Sequence, residues 1–149
     1  MMSPARYIAI ESAVSAVINA VLSIAFTLAV FGRVAQVPAG DLIFDAVPQT
    51  FMVALMATLV PTLLTRKRLK QGRAPTMARF PVALPRSAPV RALLAAVVLA
   101  LLAWVAHRML LPINASFAFS SVVIAKALYG ALLGLIVTAL AVRIALGEE

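Results

Sequence analysis

The chain has 149 residues, of which 64% are hydrophobic and only 12% are charged, and its mean hydropathy is +1.06. A water-soluble domain of this composition would have to expose apolar patches that water does not tolerate. Because the sequence contains no cysteine, it has no means to build a disulfide framework, a thiolate metal site or a cysteine nucleophile. The composition therefore predicts an all-α integral membrane protein, and the length predicts a single domain over residues 1–149.

Four apolar stretches have the length of about 20 residues that a transmembrane helix needs. We predict a bundle of four transmembrane helices, with spans over about 5–31, 47–65, 88–110 and 116–143. The third stretch has almost no polar atom in its centre, so we expect it at the lipid-facing periphery.

The ends and interruptions of the first two stretches are marked by cap residues and prolines. Ser3 and Pro4 supply a cap and a first-turn proline for the first helix. The second helix is expected to start at Asp45 and Pro48, after a short segment lying in the interface. Within it, Pro61 predicts a kink that frees a backbone carbonyl.

Basic residues between the second and third stretches predict the orientation. The loop over 66–91 contains lysines and arginines and no acidic residue, which predicts a cytoplasmic position and, with four spans, both termini inside. We expect this loop to lie against anionic lipid headgroups in a bacterial cytoplasmic (inner) membrane. Nucleic acid is not an expected partner, because Phe80 is the one interleaved aromatic and no nucleic-acid motif is present.

The second and fourth stretches align without gaps at an offset of 77, which pairs Gln49 with Lys126 and Arg66 with Arg143. One interpretation is an internal duplication that gives two helical hairpins of the same orientation. The alternative is chance similarity, because Ala, Leu and Val are so abundant in both stretches.

Polar residues recur at helical spacing in two of the stretches. Ser12, Ser15, Asn19, Ser23 and Thr27 step by three or four along the first helix. Along the fourth helix, polar and small residues step by four and share one face: Lys126, Gly130, Gly134 and Thr138. These faces predict either close helix packing or a polar solute pathway between helices one, two and four, to which Gln49 would also belong.

Two charged residues fall inside the predicted spans. Lys126 either extends to the outer interface and caps carbonyls, or enters a cavity beside Asn19 and Ser23 and holds an anion or a polar head. Glu11 either pairs with an arginine of the basic loop or acts as a proton-coupling carboxylate. Because Glu11 and Lys126 lie at opposite depths, we expect no salt bridge between them.

The outer loops contain a second set of charges. Asp41 and Asp45 are four residues apart, and we expect them to form ion pairs with Arg33 and Arg108. A cation site is the alternative, although no third ligand is evident.

The sequence contains no recognisable catalytic arrangement. His107 is the one histidine, and neither a metal-ligand spacing, a phosphate loop nor a nucleophile elbow is present. We therefore expect no enzyme, no cofactor and no metal, with a lipid-modifying membrane enzyme as a minor alternative. The mild polarity of the stripes favours an accessory or interaction subunit that docks onto other membrane proteins or onto itself. The alternative is an oligomeric transporter of a small anionic or amphipathic solute, with a polar cavity near Lys126.

Overall fold

The computed structural model describes residues 2–32 and 34–148. Within these residues the elements follow the order α1 (Pro4–Phe31), β1 (Gln36–Pro38), α2 (Ala39–Lys70), α3 (Ala88–Leu110), β2 (Ser116–Ala118) and α4 (Phe119–Ala145). The four helices of this described part are each long and apolar enough to cross a membrane. The prediction of an all-helical chain with four such helices is confirmed.

Helix α2 differs from its predicted bounds. It begins at Ala39 instead of near Pro48, and it continues to Lys70, so the expected interfacial segment and the first residues of the basic loop are helical. Pro38 has extended backbone, and Asp41 lies in the first turn, where a carboxylate is favoured by the helix dipole. The helix therefore starts well before its first internal proline.

Pro48 and Pro61 both lie inside α2. A proline has no N–H, so the carbonyl four residues earlier loses its helical partner. At Pro61 this carbonyl belongs to Ala57, and the Thr138 hydroxyl of α4 donates to it at 3.2 Å. A side chain of the neighbouring helix thus satisfies the acceptor that Pro61 leaves free.

Two short strands, which the sequence patterns do not predict, join the ends of the helices. β1 and β2 are antiparallel, with Val37 opposite Phe117. The amide of Ala39 donates to the carbonyl of Ala115, and the amide of Phe119 donates to the carbonyl of Ala35. Val37 is completely buried, so the strand pair covers this end of the helices.

The two halves of the chain have matching layouts. Residues of the first strand and the start of α2 correspond to residues 80 positions later, as in Gln36 and Ser116 or Ala39 and Phe119. The two backbone bonds flanking the strands are equivalent under the same shift. This is the pattern that a two-fold axis through the Val37–Phe117 pair produces. The correspondence is thus at 80 positions and not at the 77 of the sequence alignment.

The contacts between the helices also follow the two-fold relation between the halves of the chain. α1 packs against α4, α2 packs against α3, and α2 meets α4 in the centre. α3 turns a stripe of small residues inward, since its buried residues other than Arg91 are Ala88, Ala92, Ala96, Ala100 and Ala103. The larger residues of α3 face outward, as in Leu101, which is 61% exposed.

α1 and α4 approach each other at two glycines. A Cβ atom on Gly130 would collide with the side chain of Ser23 and would lie 2.9 Å from the carbonyl oxygen of Asn19. A Cβ atom on Gly134 would lie 3.0 Å from Cγ of Asn19. The absence of a side chain at these positions lets the polar face of α1 contact the α4 backbone.

Replacing Gly130 with alanine should destabilise the protein by about 1–3 kcal/mol, because the added methyl group overpacks the α1–α4 contact. Gly40 is the matched control, since a Cβ atom there meets nothing within 4 Å. Gly40→Ala should be neutral or slightly stabilising in a helix. Thermal unfolding of both variants in the same detergent measures the difference, and equal midpoints would contradict the packing role of Gly130.

Candidate functional site

Polar side chains form one part of the interior of the described bundle, beside a stripe of buried alanines, and large apolar side chains cover its outside. The buried residues of α1 are Tyr7, Ser12, Ser15, Asn19, Ser23 and Thr27, and each has a hydroxyl or an amide. Between them, residues such as Val17 are more than half exposed. This is the reverse of a helix in a water-soluble protein, whose buried stripe is apolar.

The polar residues form a column between α1, α2 and α4. We call the end of the bundle that holds β1 and β2 the strand end, and the end next to the 71–87 connection the loop end. The termini of the described chain both lie at the loop end, since Tyr7 packs with Leu69 and Leu146 there.

An ion pair lies at the strand end of the column. The Lys126 ammonium of α4 pairs with the Asp45 carboxylate of α2. Their side chains are only 11% and 7% exposed, so the two charges compensate each other away from solvent. The ammonium also lies 5.3 Å from the ring centroid of Phe31, within the range of a cation–π contact.

The pairing of Asp45 differs from the expected outer ion pairs. Asp45 contacts Lys126 and not Arg108, because the early start of α2 places Asp45 inside the helix and on its buried face. Asp41, one turn earlier, is exposed, as is Arg108. Arg33 lies outside the described residues, so the structure does not bear on its predicted ion pair.

Gln49 connects the ion pair to α1. Its side-chain amide donates to the Ser23 hydroxyl at 2.9 Å and to the Lys126 carbonyl at 3.5 Å. The Ser23 hydroxyl thereby accepts a hydrogen bond from α2. The backbone carbonyl of Ser23 accepts a second one, from the Thr27 hydroxyl at 2.7 Å. Hydrogen bonds of Gln49, one turn after Asp45 on α2, thus join α1, α2 and α4.

Asn19 and Ser15 continue the column towards the loop end. The amide of Asn19 donates to the carbonyl and the hydroxyl of Ser15, at 2.8 and 3.1 Å. Ser15 in turn donates to the carbonyl of Gly134 at 3.3 Å. The Ser15 hydroxyl lies 2.7 Å from that of Thr138, whose one proton is shared between Ser15 and the carbonyl of Ala57. Ser12, Thr58 and Thr62 are buried beyond this point.

A second ion pair lies at the loop end of the column. Glu11 of α1 pairs with Arg68 of α2. Arg68 also donates to the Tyr7 hydroxyl at 2.9 Å, and this hydroxyl lies 3.4 Å from that of Thr65. Glu11 and Lys126 thus lie at opposite ends and have different partners.

The structure brings most of the predicted polar set together. Lys126, Gln49, Ser23, Asn19, Ser15, Gly130 and Gly134 form one continuous contact region, and Glu11 lies in line with it at the loop end.

The sequence did not indicate that Lys126 pairs with Asp45 or that the Tyr129 hydroxyl bonds to Thr50, at 2.5 Å. The pairing of Glu11 with Arg68, an arginine of the 66–91 stretch, is one of the two alternatives that the sequence offers. Thr50 and Tyr129 lie beside the predicted polar positions in the sequence and not on their faces, so only the packing of α2 on α4 reveals this contact.

A cavity of about 360 Å³ opens beside Lys126 at the strand end. Its wall is mostly apolar and includes Leu42, Leu111 and Phe117. Polar groups are concentrated at Gln49, Lys126, Tyr129, His107 and Ser121. A wall of this kind fits a small molecule with an apolar body and a polar head.

The described residues contain no group of three or more His, Asp or Glu side chains that could hold a metal ion. The groups that the column presents offer hydrogen bonding and charge compensation. Comparison with known protein families, with curated proteins and with solved structures finds no match to the chain.

Removing one charge of the Asp45–Lys126 pair should destabilise the protein by about 3–5 kcal/mol, because the other charge stays buried without a partner. Lys126→Met and Asp45→Leu test this singly. The double variant should recover most of the loss, since it buries no charge. Thermal unfolding in detergent measures all three.

The exposed carboxylate of Asp41 provides the matched control. Asp41→Asn should leave the unfolding free energy within about 0.5 kcal/mol of that of the unmodified protein. If the effects of the two single variants simply add in the double variant, Asp45 and Lys126 are not energetically coupled.

Proposed function

We propose that the chain is an integral membrane transporter whose solute enters the cavity beside Lys126. The observation that carries this proposal is a buried polar column with an ion pair at each end, Asp45–Lys126 and Glu11–Arg68. Charged side chains are expensive in a lipid environment and are retained there mainly for function. The Asp45–Lys126 pair is buried, and the more exposed Glu11–Arg68 pair lies at the other end of the column, an arrangement that suits a pathway closed at both ends.

The proposed setting is a cytoplasmic membrane with both termini and the 71–87 connection inside. The apolar outer surface of the four helices supports insertion into lipid. The basic residues at the loop end support its cytoplasmic position. The strand end and its cavity then face the outside, and Lys126 lies beneath the cavity entrance.

The solute that fits this cavity is small and amphipathic, with an anionic head. Its apolar body would contact Leu42, Leu111 and Phe117, and its head would contact Lys126. Lys126 would then exchange the carboxylate of Asp45 for the anion of the solute. Such an exchange keeps the ammonium paired throughout, which avoids the cost of leaving one buried charge alone.

The same exchange would couple binding to opening. Asp45 and Gln49 lie one turn apart on α2, and Gln49 bonds to both α1 and α4. Release of Asp45 from Lys126 would therefore loosen the part of α2 that holds the three helices together. The loop-end pair of Glu11 and Arg68 would keep the opposite end closed meanwhile.

Internal duplication is part of this proposal. Two helix–strand–helix units related by 80 positions would form hairpins of the same orientation in the membrane. The paired strands would then join the two units on the outer side.

Cysteine labelling should confirm the orientation, because the natural sequence has no cysteine to interfere. Gly40→Cys lies at the strand end and Thr76→Cys in the 71–87 connection, and both positions are exposed. A membrane-impermeant maleimide should label only the Gly40→Cys variant in intact cells, and only the Thr76→Cys variant in inverted membrane vesicles. Labelling of both variants from the same side would contradict four spans.

Transport can be measured with radiolabelled p-toluenesulfonate, a small amphipathic anion that stays charged at neutral pH, in proteoliposomes. We expect uptake by the natural protein and a loss of at least about tenfold in Lys126→Met/Asp45→Asn, a threshold that corresponds to about 1.4 kcal/mol of lost stabilisation. Neutralising both residues avoids an unpaired buried charge. Lys67→Met is the matched control, because Lys67 is exposed.

Unchanged uptake in the double variant would overturn the role of Lys126. If the purified protein carries no solute and gentle extraction recovers it with a different membrane protein, the transport proposal fails. The accessory subunit, which stays a prediction from the sequence, would then be the better account.

A further inference from the structure

The loop end contains a second cavity that the transport proposal does not use. It has a volume of about 530 Å³ and lies between the ends of α2 and α4 and the connection that precedes α3. Its apolar floor includes Leu69 and Ile144, and the connection contributes Phe80 and Val82. It is therefore separated from the cavity at Lys126 by the length of the bundle.

The wall of this cavity is strongly basic. The basic residues among those that line it are Arg66, Lys70, Arg79, Arg86 and Arg91, whereas Glu148 is the acidic one. They come from two helices and the connection, so the fold assembles them from distant parts of the sequence. Several cations around one concave space attract a multiply charged anion.

The carboxylate of Glu148 already lies between two of these basic residues. Glu148 accepts from Arg66 Nε at 2.6 Å and from Arg91 Nη1 at 2.5 Å. Burial by itself would raise the pKa of the Glu148 carboxyl, but its bonds to Arg66 and Arg91 hold that pKa below its ordinary value. An anion between two guanidinium groups is the arrangement that arginines also use to bind phosphate.

Arg91 retains unused binding capacity. The residue is only 6% exposed, and its remaining side-chain bond is a long one of 3.4 Å from Nη2 to the Thr62 hydroxyl. Its Nε–H is buried and has no hydrogen-bond partner among the described residues. A buried guanidinium with a free donor is costly unless a ligand satisfies it.

Arg79 and Arg86 stand at the open side of the cavity. Both residues are exposed, and neither side chain has a hydrogen-bond or ion-pair partner in the described part of the chain. They are therefore available to an incoming anion. The backbone carbonyl of Arg86 is held by Arg66 at 2.7 Å, which keeps the connection against the cavity.

We propose that this loop-end cavity is a binding site for a phosphate-bearing anion, with Arg66 and Arg91 at its base and Arg79 and Arg86 at its mouth. The anion displaces Glu148 from the two arginines on binding. Glu148 thus acts as an internal competitor that neutralises the base of the site until the anion arrives. The phosphate belongs either to a free anion or to a lipid headgroup, and both present the same oxygens to the arginines.

Two arms of one experiment distinguish these sources. Calorimetric titration of the purified full chain in maltoside with inorganic pyrophosphate measures a free anion. Native mass spectrometry of the chain in nanodiscs of phosphatidylcholine with cardiolipin measures retention of an anionic lipid. We expect binding in at least one arm, and the arm that binds identifies the source.

The variants are chosen so that the fold is preserved. Arg79→Gln/Arg86→Gln should weaken binding by about tenfold or more through the loss of two charge-assisted contacts. Lys67→Gln/Arg73→Gln is the matched control, since it also removes two exposed positive charges near this end of the bundle, and neither residue lines the cavity. Glu148→Gln should strengthen binding by about three- to tenfold, because the competing charge is gone.

The control variant separates a built site from general attraction to a basic surface. If Lys67→Gln/Arg73→Gln weakens binding as much as Arg79→Gln/Arg86→Gln, or if Glu148→Gln leaves affinity unchanged, the proposal is overturned. It is also overturned if neither pyrophosphate nor cardiolipin binds. None of these results depends on transport through the column, so the two proposals fail separately.

Discussion

The buried ion pair of Asp45 and Lys126 is the constraint on which the remainder of the structure depends. Two charges that are almost shielded from solvent must stay together, and this fixes α2 against α4. Gln49 then connects this pair to α1 through Ser23. Further along the column Ser15 and Thr138 join α1 to α4, while the amide of Asn19 donates to Ser15 of its own helix. The large apolar residues of α1 and α3, such as Val17 and Leu101, face outward.

Two glycines of α4 and a proline of α2 both make backbone groups available to side chains of the column. Gly130 and Gly134 remove side chains from α4, so that Asn19 and Ser23 reach its backbone. Pro61 removes a donor from α2, and the free carbonyl of Ala57 becomes an acceptor for Thr138. In both cases a backbone group becomes accessible to a side chain of a neighbouring helix. These contacts concentrate hydrogen bonding between the helices in the centre of the bundle.

Much of the architecture could be predicted because it follows from local patterns. Long apolar runs give the four helices, and the spacing of Ser15, Asn19 and Ser23 gives the buried face of α1. The predicted start of α2 was wrong, because Pro48 resembles a first-turn residue although the helix already begins at Ala39. The strand pair escaped prediction because three residues are too few for an alternating pattern. The partners of Lys126 and Glu148 depend on contacts between distant parts of the chain, and a single sequence contains no signal for them. For Glu11, the basic stretch over 66–91 indicates an arginine partner but does not say which one.

The correspondence between the two halves has a consequence for how charge is distributed. At a shift of 80 positions, Asp45 is matched by Ala125 and Lys126 by Ala46, while the strands and helix starts coincide. Two separate copies of one unit, assembled about a symmetry axis, would have to present every group twice and would crowd two acids beside two bases. Joining the units in one polypeptide allows the acid to be kept in one and the base in the other. The strands and helix starts keep the matching layout, while the acid of the buried pair lies in one half of the chain and the base in the other.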